Sequence, residues 1–474
     1  MTAGRLEFAM HYTRRLLEWR WSGALVVASL TSAGAVASCA SSDEEPPAVA
    51  DVPDAAPSAP SVPDATVPDA PEERDAAPFD GGPLPVVCAG TPCAMALVTT
   101  RGAGVSDRGE GFCVLLHDGA VACWGAGGAG QLGRGAEAGV GDSASPERVS
   151  GLTEIVALDH TCAVDKAGAA YCWGTGPFLR STSAATTTER TPVKLDIPSV
   201  TKVAVGVSTG CALSDGRVLC WGSNVNAQIA PLESQAPSAV LPVTERALPE
   251  GAAVRDLAVG DATFAIRVDG TVVTWGANPP LARVSSLPRD PYPMPSLLVG
   301  VTTIDLAEDN ACTTVAGVGQ CWGTIIARES ELQQGVKRLD RALPNPVATP
   351  EPVVQIATTR PSTAIDPVPV REGIGWSAPV QPQRWCAIGA SGAVYCWGYN
   401  ASGQAGDGTK EFAYRAVKVV GLPEPAAQVR TTADATCALL TTGKVYCWGT
   451  NYYGQLGNGT IRIPSLTPQE VVLP

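Results

Sequence analysis

Histidine is nearly missing from this chain. His11, His117 and His160 are the only three in 474 residues. Most zinc, haem, Ser/His and Cys/His schemes need imidazole as ligand or base, so most of them fall away. Basic charge is short as well, with 33 Lys and Arg against 46 Asp and Glu and a net charge of −13. Such a surface repels a phosphate backbone, and no nucleic-acid partner is expected. Phe and Tyr are scarce, at 6 and 9. There is no Cys-x-x-Cys redox motif and no Gly-Lys-Ser/Thr phosphate loop. No long stretch of the body shows the 3.6-residue apolar period of a helix. What is abundant is Gly (50) and Pro (40), with 45% apolar residues. That composition describes many short elements joined by turns around a real core.

The N-terminus reads as an address and a tether. Arg14, Arg15 and Arg20 lead into "SGALVVASLTSAGAV" (Ser22–Val36), which is short for a membrane-spanning helix of about 20 residues. "VASC" (Val36–Cys39) resembles a bacterial lipobox, which implies cleavage before Cys39 and its acylation. Residues 1–39 are thus expected to be a lipoprotein-type signal peptide, with Met10 an alternative start to Met1. Residues 40–85 are rich in Pro, Ala and Asp, with Arg74 the one basic residue. They are expected to form a solvated acidic linker that reaches roughly 100 Å from a membrane surface.

Residues 86–474 are a repeat. Trp-Gly recurs at Trp124, Trp173, Trp221, Trp275, Trp322, Trp397 and Trp448, 47 to 54 residues apart save for one gap of 75. Each unit reads "CAxx…GxxxCWG", two alternating apolar runs around a Gly turn, which is the pattern of a hairpin. Segments between units, such as "TPVKLDIPSVTKVAVG" (Thr191–Gly206), read as two more short strands. Four strands in each of seven units predict an all-β fold, a seven-bladed β-propeller. The chain ends on "PSLTPQEVVLP" (Pro464–Pro474), which reads as the strand that opens a unit, so it is expected to complete blade one.

"HTCAVDKAGAAYCWG" (His160–Gly174), "CAIGASGAVYCWGYNASGQAGDGT" (Cys386–Thr409) and "CALLTTGKVYCWGTNYYGQLGNGT" (Cys437–Thr460) carry a family resemblance. The units resemble the repeats of the regulator-of-chromosome-condensation (RCC1) propeller family, in a cysteine-bearing form associated with exported bacterial members. The resemblance covers about residues 90–474 and is weaker in units two to five, where the Gly-Gln-Leu-Gly tail has decayed. It implies a scaffold that binds other proteins, and exported bacterial propellers of this kind include protein inhibitors of β-lactamases. The family name also implies guanine-nucleotide exchange on a small GTPase, with chromatin binding. An export signal and an acidic surface argue against that alternative.

Fifteen cysteines behind an export signal point to an oxidising compartment. Without Cys39 they are an even fourteen. Cys113/Cys123, Cys162/Cys172, Cys211/Cys220, Cys312/Cys321, Cys386/Cys396 and Cys437/Cys447 lie nine or ten apart around a turn. Nine leaves a two-residue loop, as at Asp215-Gly216, and ten a three-residue loop ending in Gly. Both place the cysteines directly opposite each other, at a spacing that suits a disulfide. In unit four both positions change together, to Phe264 and Thr274. Cys88 and Cys93 remain, and are expected to pair. The seven Trp-Gly tryptophans are read as packing between blades, and the tail glycines as turn residues.

No catalytic constellation stands out, and no metal or cofactor is expected, so the chain is read as a non-enzyme. The candidate binding loop is the insertion "RPSTAIDPVPVREGIGWSAPVQPQRW" (Arg360–Trp385). It carries Arg371, Trp376, Arg384 and Trp385, residue types enriched in interface hot spots. A second insertion, "RGAGVSDRGEGF" (Arg101–Phe112), is expected on the same face. The reading is a membrane-tethered binder of an unidentified protein or glycan, at the periplasmic or cell surface.

Overall fold

The computed structural model describes residues 81–474 except 103–109, 136–140, 233–239, 326–338, 360–361, 364–379 and 382. The expected signal peptide, Cys39 and nearly all of the linker lie outside the described residues. Seven four-stranded antiparallel sheets follow one another along the chain, each with its strands in sequence order. Their first strands are Ala94–Thr99, Ile155–Asp159, Lys202–Val205, Val254–Val259, Val301–Ala307, Val353–Thr358 and Ala426–Thr431. All seven contribute to the wall of one central cavity. The fold is a seven-bladed β-propeller.

The hairpins explain the cysteine spacing. In blade three Ser214 faces Arg217, and the two-residue turn between them, Asp215 and Gly216, has φ of 48° and 77°. That is the left-handed pair a type I′ turn needs. Blade five repeats it with Ala316 and Gly317, at 47° and 79°. Where the spacing is ten, the third loop residue takes the positive φ, as at Gly119 (79°). The bonded hairpin pairs are Cys113–Cys123, Cys162–Cys172, Cys211–Cys220, Cys312–Cys321, Cys386–Cys396 and Cys437–Cys447, with Cα atoms 4.1 to 4.2 Å apart. Cys88 is bonded to Cys93. In blade four Phe264 faces Thr274. There Arg283 ties the sheet instead, donating to Thr274 and to Asp290, with its Nη1 2.8 Å from Asp290 Oδ2.

The third strand carries a feature that cysteine spacing does not announce. Cys172 faces Val193 of the fourth strand, yet Gly174 faces Glu189. Cys396 likewise faces Val417, and Gly398 faces Ala413. Two steps on the third strand thus match four on the fourth, a bulge beside the tryptophan. The cysteine spacing constrains only the inner hairpin and says nothing of this outer pair. Such a bulge bends the strand and sharpens its twist as it leaves the disulfide.

Neighbouring blades are joined by the tryptophans. The indole N–H of Trp173 donates to Gln131 O of the preceding blade at 2.9 Å, and Trp448 and Trp124 do the same to Gln404 O and Gln455 O. Trp221, Trp275 and Trp322 also reach the tail before them, at Pro177 O, Gln228 O and Pro280 O. The glycine after Gln-Leu or Gln-Ala leaves room for that ring. A Cβ on Gly406 (φ 69°) would sit 2.6 Å from Trp448 Nε1. So the Gly-Gln-Leu-Gly tail is an inter-blade seat, one carbonyl to accept and one missing side chain.

Blade one differs from expectation. Its fourth strand is its own Ser143–Arg148, paired with Val121–Gly125. The C-terminal strand Ser465–Glu470 pairs with Val445–Gly449 and is the outer strand of blade seven. The segment between two hairpins holds the fourth strand of one blade and then the first strand of the next. Each sheet draws its four strands from one stretch of chain, so no strand is exchanged. The ring closes by side-chain and loop contacts: Leu97 N–H donates to Gln428 Oε1 at 2.9 Å, and Gly459 N–H to Ala144 O at 2.9 Å. The same amide device, Gln355 Oε1 accepting from Val429 N–H at 2.9 Å, joins blades six and seven.

Candidate functional site

The first and second strands of a blade are joined on one face of the ring, around the cavity mouth. In five blades that connection is short. In blade one it runs from Thr99 to Gly111, and in blade six from Thr358 to Arg384. Both sequence insertions therefore leave from and return to the same face. The longer one starts as a short ladder, Ser362–Thr363 against Val380–Gln381. Arg371 and Trp376 lie outside the described residues.

Arg384 and Trp385 do not belong to a loop. They begin the second strand of blade six, Arg384–Gly389, and are 2% and 5% exposed. Trp385 faces Trp397 across the hairpin, ring centroids 6.2 Å apart, in a cluster with Cys312, Cys321, Val353 and Ile356. Both tryptophans are blade packing. Arg384 reaches into blade seven, donating to Thr432 O at 2.7 Å and to Ala435 O and Thr436 Oγ1. Burial pulls its pKa down to about 10, while Glu110 and Asp434 oppose the shift, so it stays charged at neutral pH. Glu110, just before the second strand of blade one, accepts from Thr432 Oγ1 at 2.5 Å. The residues that end the two insertions thus grip one loop of blade seven from either side.

The hairpin cysteines take no part in the site. Cys162 and Cys172 are buried in the apolar cluster between blades two and three. Cys386 and Cys396 are buried in the one between blades six and seven. They staple the blades that carry the mouth, and none of them lines it.

The cavity beneath this face measures about 200 Å³. Charges pair around it, both between neighbouring blades and across the ring. Lys202 of blade three is 2.9 Å from Asp256 of blade four, and Arg430 of blade seven is 3.7 Å from Asp305 of blade five. Arg101, the first residue of the blade-one insertion, lies 3.5 Å from Glu308 of blade five and donates to Val259 O of blade four at 3.3 Å. It lies as a bar across the mouth. His160 takes a left-handed φ of 48° and sets Nδ1 3.0 Å from Thr99 O. Burial first, then the nearby Arg101, lowers its pKa to about 4, so it is neutral at physiological pH.

A carboxylate recurs at one repeat position on this face, three residues before the first hairpin cysteine or its Phe264 equivalent. It is Glu110, Asp159, Asp261, Asp309 and Asp434 in blades one, two, four, five and seven. The backbone explains the position: Glu110 O, Asp261 O and Asp434 O accept from Ala126, Ala277 and Thr450 N–H, which fixes the turn and leaves the side chain free to vary. Burial and the charges of Glu308 and Asp309 lift the Asp261 pKa to about 6. Among the described residues no group of three or more His, Cys, Asp or Glu side chains could hold a metal ion. The arrangement supplies charge and hydrogen-bond recognition.

The Regulator of chromosome condensation (RCC1) repeat models match residues 427–455 and 442–474. Ultraviolet-B receptor UVR8 of Arabidopsis thaliana is 26% identical over 387 residues, 78% of this chain and 70% of that protein. The chain is an RCC1-like propeller. Protein pim1 of Schizosaccharomyces pombe is 27% identical over 223 residues, 41% of each protein. Among solved structures, Prp20p of Saccharomyces cerevisiae superposes with a TM-score of 0.54 at 20% identity, covering 74% of this chain and 85% of that one. Human WBSCR16 gives 0.56 at 18%, covering 75% and 95%. In this RCC1-like propeller the seven disulfides point to an oxidising, extracytoplasmic setting.

Proposed function

We propose that this protein is a non-catalytic binder, tethered outside the cytoplasm by a lipid on Cys39, that captures a protein or glycan on its insertion-bearing face. The observation that carries the reading is topological: both insertions interrupt the same connection, first strand to second, over one cavity mouth. Loops set on a rigid scaffold are where recognition concentrates. Prp20p of Saccharomyces cerevisiae binds Gsp1p and histones, which supports the use of this scaffold as a protein binder. Guanine-nucleotide exchange fits poorly with a disulfide-rich exported chain. Two substitutions test the parts separately. Cys39→Ala should release the protein from the membrane fraction; retention there refutes the anchor. Trp376→Ala should weaken capture of the partner by about 2 kcal/mol, the scale of an interface hot spot, with little change in melting temperature. Unchanged capture refutes the loop's role.

A further inference from the structure

Twelve of the cysteines sit in hairpins and are 0 to 4% exposed. The seventh bridge is different. Cys88 is partly exposed and residues 89–92 of its loop are all exposed, while Cys93 is 2% exposed. This loop sits where the chain enters the ring. Val87 N–H donates to Thr441 O at 2.7 Å, and Ala94 N–H donates to Gly443 O at 2.9 Å. Both acceptors belong to one turn, between the second and third strands of blade seven. The loop is therefore a two-armed clamp on that turn, and Cys88–Cys93 ties its arms together. Further upstream Val86 packs on the apolar cluster shared by blades one and seven. Leu84 Cδ1 lies within 3.0 Å of where a Cβ on Gly392 would be, under the matching turn of blade six. The segment from Leu84 to Cys93 is thus a strap laid across three blades at the seam of the ring, on the face opposite the cavity mouth.

We propose that Cys88–Cys93 is a thiol–disulfide exchange site, a redox latch that fastens the entry strap to the ring. The partner it fits is a dithiol reductant, protein or small molecule. One thiolate of the dithiol attacks Cys88 Sγ, on the one residue of the fourteen bridged cysteines that is not buried, and the Cys88–Cys93 bond breaks. The electron pair leaves on Cys93 Sγ, which takes a proton from solvent. The second thiol of the reductant then attacks the mixed disulfide and frees Cys88 as a thiol. Two electrons pass to the protein and the dithiol becomes a disulfide. The Ala94 arm stays, because Ala94 continues into the first strand of blade one. The Val87 arm loses its tie and the strap lifts. The ring holds, since Gln428, the Trp124–Gln455 contact and the six hairpin bridges are untouched. At about 3 Å per residue, the released strap adds roughly 25 Å to the leash between ring and anchor.

The test is graded reduction of the folded full chain with dithiothreitol, alkylation, and peptide mass spectrometry. Cys88 and Cys93 should be labelled at least about ten times faster than any hairpin cysteine. Limited proteolysis should then gain cuts between residues 84 and 92 that the oxidised protein lacks, while the strands of the ring stay resistant. The paired variant Cys88→Ser with Cys93→Ser should show the same cuts without reductant, and Cys113→Ser with Cys123→Ser should not. Labelling of hairpin cysteines such as Cys172 or Cys396 as fast as Cys88 overturns the proposal. So does a reduced or Ser-substituted strap that remains as protease-resistant as the oxidised one.

Discussion

At the residue scale, two half-buried groups on the mouth face titrate in opposite senses. Asp261 is raised, so its native state prefers the proton. Its contribution is fully present below the unfolded value of 3.8 and is lost as pH rises through about 6. Above pH 6 the ionised carboxylate is therefore a liability. Asp261→Asn should raise stability at pH 8 by up to about 3 kcal/mol, from a shift of about two units, and should change nothing at pH 3.5. Asn keeps the oxygen that accepts from Asn226 Nδ2 at 3.2 Å. His160 is lowered, so its contribution is present above 6.5 and is lost as pH falls through about 4. His160→Asn, with a residue tolerant of the left-handed φ, should flatten the acid limb of the melting curve below pH 6. Thermal melts across pH check both. Neither residue was legible as a site in the sequence. Asp261 repeats the aspartate of "DATC", and its pKa is raised by burial in the closed ring and by Glu308 and Asp309 of the next blade. Arg384 and Trp385 were misread for a related reason: the end of the insertion leaves no mark, and a strand residue two before Cys386 looks like loop.

At the scale of elements, the sequence was most readable where contacts are local. Hairpin pairing, turn type and loop length follow from cysteine spacing and Gly position within about ten residues. The registers agree at Cys162↔Cys172, Cys211↔Cys220, Cys386↔Cys396 and Cys437↔Cys447. The bulge after Cys172 and Cys396 was not readable, because its partner strand lies some twenty residues on, past a tail of variable length. Nor was the phase of the repeat, because a period does not say where a blade begins. Only the ladder of Ser465–Glu470 on Val445–Gly449 settles that the chain ends on an outer strand. The tail gives the element-scale prediction. Gly406 has a left-handed φ and a Cβ there collides with the Trp448 ring. Gly406→Ala combines backbone strain with displacement of an inter-blade tryptophan, and should cost about 2 kcal/mol or more in chemical denaturation. Gly408→Ala, also at positive φ but with nothing within 4 Å, should cost less.

At the scale of the whole molecule, the ring brings together what the chain holds far apart. Arg101 meets Glu308, and Arg430 meets Asp305, across the cavity. No periodicity announces those pairs, since each needs the closed ring. The same closure brings the ends of two insertions, from blades one and six, to one mouth, and leaves the strap, Lys166 and Lys444 on the other side. Capture at the mouth is the central claim, and amine-reactive cross-linking on the native cell surface tests it most directly. Lys410, exposed on the connection that follows the third strand of blade six, lies on the mouth face, while exposed Lys166 and Lys444 lie in turns of the opposite face. The account predicts partner peptides joined to Lys410 and absent from Lys166 and Lys444. Cross-links confined to Lys166 and Lys444 would contradict it.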